Sequence, residues 1–325
     1  MAAPAADRLR YRGAVPGPPD LLRQAPSRSV LEWAEGTTGD GAARVDAVQA
    51  LDGATTSAVH ALRMRTSRGD NELVLRRYVW QAFLAEDPDR PRHEAMVLRL
   101  LESTPVPAPA LVAVDAAGDA TGSPAVLMTR LPGSAAARPN DWLQQAADAA
   151  ARIHRVDGRS LGRQYRPYFV GAGRTPAWGD HALWDDALAL AGPLVSAGEP
   201  DDAVFIHRDY HPGNLLWDAC RLSGIVDWLS ACCGPPGVDV AHFGINLALD
   251  FGPGAVATFR TAYEKATDRR HDRRRDVVGA IDVLPFYAGN DDVDTWPGIG
   301  LPDAGAARAR LEACLLYTSD AADEL

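Results

Sequence analysis

Cysteine is scarce in this chain. Cys220, Cys232, Cys233 and Cys314 are the full set, an adjacent pair plus two scattered thiols. That spacing is neither a disulfide framework nor a zinc-ligand pattern, so reduced, packing cysteines in a cytoplasmic protein are expected. No run of about eighteen apolar residues occurs, and the opening "MAAPAADRLRYRGAVPGPPD" has no apolar signal core. Membrane spanning and secretion are therefore not expected. No basic stripe stands out against a formal net charge of −10, which argues against nucleic acid as a partner. The acidic balance points instead to a neutral or cationic partner. Internal repeats and the phosphate-cradling spacing G-x-G-x-x-G are also missing.

Apolar residues make up 46% and charged residues 23% of 325, enough for a globular core in one large domain or two lobes sharing a cleft. Residues 1–40 are rich in Pro, Ala and Gly and read as a loose extension with one short helix at "SVLEWAEG". "ARVDAVQAL", "AVHALRMR" and "ELVLRRYVW" read as three antiparallel strands, with "DGATTS" and "TSRGDN" as the turns between them. "PRHEAMVLRLLEST" is a helix that Pro105 and Pro107 stop, and "ALVAVDAAG" and "SPAVLMTRL" are two further strands. After Pro132 and Gly133 nearly everything is helical. "NDWLQQAADAAARIHRV" has Asn140 as its expected N-cap, and the only strands expected later are around "VFIHRDYHPGNLLW" and "GIVDW". The expected organisation is an N-terminal lobe over 41–131, a hinge at 128–133 and a larger helical lobe over 132–314.

"VFIHRDYHPGNLLW" sets "HRDYHPGN" between two apolar runs. A buried strand has no use for that insert, so it reads as a polar loop at a cleft. Asp209 and Asn214 are five positions apart on it, and Asp227 follows in "GIVDW". A carboxylate, a carboxamide oxygen and a second carboxylate are hard oxygen donors of the kind that suit Mg²⁺, with one acid left over to accept a hydroxyl proton. Gly213 allows a turn that a larger residue would resist, and Pro212 stiffens it.

"HRDYHPGN" followed by "VDW" resembles the catalytic loop and metal-binding acid of the aminoglycoside phosphotransferase and choline kinase-like family, relatives of the protein kinases. The resemblance runs over about residues 45–260. It implies an α+β, two-lobed protein-kinase-like fold: a small antiparallel β lobe with one helix, plus a larger, mainly helical lobe. It makes Asp209 the catalytic base or the carboxylate that orients the hydroxyl, and Asn214 and Asp227 the ligands of Mg²⁺. It makes Arg76 the strand cation, where the family often has Lys, and Glu94 its helix partner. Arg77 stands next to Arg76, so the register of that strand decides the assignment. "LDGATTSAVH" takes the place of the nucleotide-covering loop, with Gly53, Thr55, Thr56 and Ser57 as donors. "LMTRLPG" resembles the hinge that meets the adenine between Met128 and Leu131, and Asp239 resembles an acid that buttresses the catalytic loop. His207 is expected to orient that loop by hydrogen bonding, and the role of His211 stays open.

The implied activity is transfer of the γ-phosphate of ATP, with GTP as the alternative, to a hydroxyl of a small molecule. An aminoglycoside antibiotic is the first expectation, with the acidic run "NDDVD" at 290–294 as a patch for its amino groups. A macrolide, choline, homoserine or another metabolite are the alternatives, and a nucleotide-binding pseudokinase is the reading from a different class. Oligomeric state is not legible. The tail "LLYTSDAADEL", 315–325, breaks the preceding helical pattern and resembles translated adapter sequence. It is expected to be non-native and is set aside.

Overall fold

The structure is a computed structural model that describes residues 19–167, 179–196, 203–280, 309–310 and 312–313. The "NDDVD" run, Cys314 and the 315–325 tail lie outside the described residues. The first half is a five-stranded antiparallel sheet of β1 (Arg44–Ala50), β2 (Ala58–Thr66), β3 (Gly69–Arg77), β4 (Leu111–Asp115) and β5 (Ala125–Thr129), in the order β1-β2-β3-β5-β4. Two helices precede it, α1 (Pro19–Arg23), which was not expected, and α2 (Arg28–Thr37), which fills the expected "SVLEWAEG" helix. The turn between β2 and β3 is tighter than the "TSRGDN" reading. Thr66 pairs directly with Gly69, and Gly69 has φ +117°, a conformation that costs glycine little. α3 (Gln81–Glu86) and α4 (Arg90–Leu101) then lead to β4.

Alternation along the strands gives the sheet two faces. Leu73, Leu75, Ala125 and Leu127 are buried with Val30 and Ala34 of α2. Their neighbours Val74, Val126 and Met128 face the opposite way and join a core that also holds Val97 and Leu98 of α4. That period-two rule settles the register question. Arg76 pairs with Val126 and shares the α4 face, whereas Arg77 lies on the other face and donates to the Gln24 carbonyl after α1.

The second half contains α5 (Trp142–Ile153), α6 (His181–Ser196), α7 (Gly237–Phe251) and α8 (Pro253–Thr267), with short strand pairs β6 (Val204–Ile206) with β9 (Cys232–Gly234) and β7 (Leu215–Asp218) with β8 (Arg221–Ile225). β9 was not read from sequence because "CCG" is too short to show a period. The buried face of α5 is mostly alanine (Ala146, Ala147, Ala149 and Ala150), which lets α8 pack close against it. Asn140 does not cap α5. The N-cap is Asp141, and its carboxylate accepts from the Gln145 side chain instead. Phe243 of α7 stacks on Tyr210 at 5.0 Å and on Phe259 at 4.3 Å, and these rings belong to the same core as Val126 and Met128. Gly133 in the connection has φ +96°, and a Cβ there would lie 2.4 Å from the Trp217 carbonyl oxygen. Only glycine fits, because Ser134 and Trp217 exchange two backbone hydrogen bonds at that point.

His93 of α4 pins the two halves together. Its Nε2–H donates to the Ala231 carbonyl at 2.6 Å, and the ring is buried. Burial, reinforced by Arg163, lowers its pKa from 6.5 to about 4. The unfolded chain therefore binds this proton more tightly than the folded one. The stability it supports is intact above about pH 6.5 and is lost as the pH falls toward 4, by on the order of 3 kcal/mol. His93→Gln keeps a donor and removes the titration. Its unfolding midpoint should fall less steeply between pH 6.5 and 4 than that of the wild type, as measured by thermal denaturation across that range.

Candidate active site

Asp239 organises the loop after β6. It is fully buried in the first turn of α7, where the helix N-terminus favours a negative charge. Its two carboxylate oxygens accept the backbone N–H groups of His207 and Arg208, each at 2.8 Å. His154, at the end of α5, donates Nε2–H to the same carboxylate at 3.2 Å and accepts the Tyr263 hydroxyl at Nδ1 from α8. Burial alone would raise the Asp239 pKa, but these donors outweigh it and hold the group below its usual range. The clamp keeps Arg208 at φ +72°, left-handed for a non-glycine residue, and so turns the next residue, Asp209, into the cleft.

The rest of the loop is fixed from within. The His207 ring accepts the Asp209 N–H at Nδ1 and donates Nε2–H to the Val226 carbonyl at 3.0 Å, which is the orienting role expected of it. His211 accepts the Gly213 N–H through its ring. A Cβ on Gly213 would sit 2.8 Å from that ring, so glycine is required for clearance and not for a left-handed turn. The Asn214 amide nitrogen donates to the Asp209 carbonyl at 2.9 Å and reaches its Oδ2 at 3.3 Å. The Asn214 carbonyl accepts from Val226 N–H at 3.0 Å, so the loop grips residue 226 from two sides and sets Asp227 beside it.

Asp227 has φ +71° and a side chain about one-third exposed. Arg76 crosses from β3 and places Nη2 2.8 Å from Asp227 Oδ1, Nε 3.2 Å from Glu94 Oε1, and Nη1 3.0 Å from the Ser57 hydroxyl, to which it donates. Tyr78 donates its hydroxyl to Glu94 at 2.6 Å. Burial raises the Glu94 pKa although Arg76 and Tyr78 pull it down. Burial opposes the charge on Arg76 too, but the Asp227 and Glu94 carboxylates overcome it and leave the guanidinium firmly charged.

These contacts gather Asp209, Asn214, Asp227, Arg76, Glu94 and Ser57 into one constellation. The other expected nucleotide contacts are peripheral to it. Gly53 is exposed at the β1–β2 turn with φ +85°, and Thr55 and Thr56 are half-buried beside it. The Ser57 hydroxyl is taken by Arg76. Met128 is buried in the core of the sheet, and Leu131, just after β5, packs against Gly224.

The carboxamide oxygen of Asn214 and the carboxylate of Asp227 are a donor pair that fits Mg²⁺, which keeps several waters and takes few protein ligands. Among the described residues no cluster of three or more His, Cys, Asp and Glu could form a closed metal cage.

Sequence reading missed His242 of α7, whose Nε2 lies 3.2 Å from Asp209 Oδ1. The signal was the spacing Asp239-x-x-His242, which puts both side chains on one helix face. Burial alone would raise the Asp209 pKa, but the His242 hydrogen bond and the neighbouring imidazoles hold it well below the usual carboxylate range.

Asp239→Ala strips two buried N–H groups of their acceptor, at about 1–3 kcal/mol each. Urea denaturation should show a matching loss of stability, and a loss under 1 kcal/mol would mean that the clamp is not what holds the loop.

The phosphotransferase enzyme family, APH, matches residues 58–276. An N-acetylmuramate/N-acetylglucosamine kinase of Caulobacter vibrioides is 38% identical over 66 residues; the chain spans only 18% of that relative, using 17% of its own length. Solved structures with the same fold include a thermostable mutant of aminoglycoside phosphotransferase APH(4)-Ia in a ternary complex with AMP-PNP and hygromycin B. It has a TM-score of 0.59 and 17% identity, covering 89% of this chain and 98% of that one. The amicoumacin kinase hAmiN with AMP-PNP, Ca²⁺ and Ami also has a TM-score of 0.59, at 14% identity, covering 84% of this chain and 88% of that one. With two-thirds of its length matched and a kinase-like fold around the catalytic-type loop, this chain belongs to the phosphotransferase enzyme family.

Proposed function

We propose that the chain transfers the γ-phosphoryl group of ATP, or of GTP, to a hydroxyl of a small molecule. The observation that carries this reading is the convergence of Asp209, Asn214 and Asp227, tied together through Val226 and the Asn214 amide. The binding of AMP-PNP by two proteins of the same fold supports it. Asn214 and Asp227 are the residues that would hold Mg²⁺, which when bound neutralises charge on the phosphates.

Asp209 acts on the acceptor. Its carboxylate is ionised at any physiological pH, so it accepts a hydrogen bond from the incoming hydroxyl and aligns it. The acceptor oxygen bonds to the γ-phosphorus as the bond to the β–γ bridging oxygen breaks, and the nucleoside diphosphate leaves. The hydroxyl proton passes to Asp209 late, as suits a weak base and a loose transition state. Arg76 stays charged and binds phosphate, while Glu94 and Ser57 hold it in place. The triphosphate requirement fits a cytoplasmic protein, and no helix among the described residues is long and apolar enough to cross a membrane.

The proposed acceptor is an aminoglycoside or another small polyol. The amino-sugar kinase stretch favours N-acetylated amino sugars as a second class. A screen of aminoglycosides, amino sugars, macrolides and choline with product mass spectrometry separates these. Nucleotide binding with no phosphorylated product would favour a pseudokinase. Asp209→Ala should lower turnover about 10²- to 10⁴-fold, measured by steady-state phosphotransfer. Asp227→Ala should abolish Mg²⁺-dependent nucleotide binding in calorimetry, and unchanged affinity would remove the metal assignment.

A further inference from the structure

Asp209 is held by its loop at the backbone, but its carboxylate has to be held separately. A free Asp side chain rotates among staggered rotamers, and each rotamer aims its oxygens at a different point. Three side chains surround this carboxylate. Asn214 reaches Oδ2 at 3.3 Å, but its amide makes its shorter bond, 2.9 Å, to the Asp209 carbonyl. His211 Nε2 stands 3.9 Å from Oδ2, beyond hydrogen-bond range. His242 Nε2 is 3.2 Å from Oδ1, on a mostly buried ring about 13% exposed. His242 therefore makes the nearest side-chain contact to the carboxylate, and it comes from outside the loop.

Its place on α7 strengthens the point. Asp239 and His242 are three residues apart, so they project from the same face of one helix. Asp239 fixes the loop backbone at the consecutive N–H groups of His207 and Arg208, and His242 contacts the side chain that follows. One rigid helix, backed by Phe243 in the aromatic core, thus sets both the position of Asp209 and its rotamer.

We propose that His242 is a positioning residue for Asp209: its imidazole N–H holds one carboxylate oxygen so that the remaining acceptor capacity is aimed at the incoming hydroxyl. This rests on the phosphotransfer reading above. A misaimed carboxylate should slow the chemical step and leave nucleotide binding alone, because among the described residues the polar and ring contacts of the His242 imidazole go to Asp209 and His211.

The test uses the full chain with MgATP, and either a hydroxyl acceptor found by the screen or water as the acceptor in basal ATP hydrolysis. His242→Ala should lower kcat about ten- to a hundredfold, with KM for ATP within about twofold, as expected when about an ångström of alignment is lost. His242→Gln, which keeps a donor, should recover most of that loss. In an Asp209→Ala background, His242→Ala should cost nothing further. Nitrogen NMR of the imidazoles should show the His242 ring shift on Asp209→Asn, independently of activity. Full-speed His242→Ala, equal loss in the Ala and Gln variants, additive loss in the double variant, or an unmoved His242 resonance each overturns the role. An enzyme with turnover and an indifferent His242 leaves phosphotransfer standing, while a chain with no turnover on any hydroxyl removes phosphotransfer and this role together.

Discussion

A carboxylate with zero exposure that accepts two main-chain N–H groups is the constraint from which the rest of this site follows. Asp239 is ionised in a place where an unpaired charge would be very costly, and three helices supply the groups that make it tolerable. α7 contributes the residue and its N-terminal dipole, α5 contributes His154, and α8 contributes the Tyr263 hydroxyl that fixes the tautomer of His154. The catalytic-type loop is thereby referenced to the packed helical core and not to the cleft surface. A loop anchored this way can carry polar, hydrated side chains without losing its shape.

The second organising element is electrostatic and comes from the sheet. Arg76 joins Glu94 of α4 to Asp227 of the other half, so a single guanidinium spans the cleft. The choice of arginine fits the composition of the chain, whose sole lysine among 33 basic residues is Lys265. It also changes the geometry. A forked guanidinium addresses Glu94, Asp227 and Ser57 at once through three nitrogens, which a lysine ammonium on a flexible stem would do less rigidly. Arg76 neutralises one Asp227 oxygen, so a divalent cation approaching that carboxylate would compete with the guanidinium for it.

The sequence made the loop residues readable because their spacing is local: Asp209, Asn214 and Asp227 lie within nineteen positions, and the polar insert contrasts with the apolar strands around it. The sheet was readable for the same reason, since alternation in "AVHALRMR" and "ELVLRRYV" is a period-two signal, and it also decides Arg76 over Arg77. What escaped depends on contacts between distant segments. His242 is 33 positions from Asp209, and only packing of α7 on the loop brings them together. The inward turn of the Ser57 hydroxyl reflects Arg76, nineteen residues away. The cap of α5 was misplaced by one residue, because Asn140 and Asp141 are both good capping types and nothing local separates them.

Backbone strain distinguishes the site from ordinary loops. Five non-glycine residues among the described ones have positive φ. Ala219 and Cys220 form the two-residue hairpin turn between β7 and β8, where positive φ at both positions matches strand twist. Asp268 ends α8, a common left-handed position. Arg208 and Asp227 have no such local excuse. One immediately precedes Asp209 and the other is the acid opposite it, and each costs about 1–3 kcal/mol that only surrounding contacts can offset. Those contacts are the Asp239 clamp for Arg208 and, for Asp227, the grip of His207 and Asn214 on Val226 together with the Arg76 ion pair. Strain confined to the two backbone points that carry the carboxylates means that the placement of both residues is set before any ligand arrives. The loop can then spend binding interactions on the phosphates and the hydroxyl without first having to order itself.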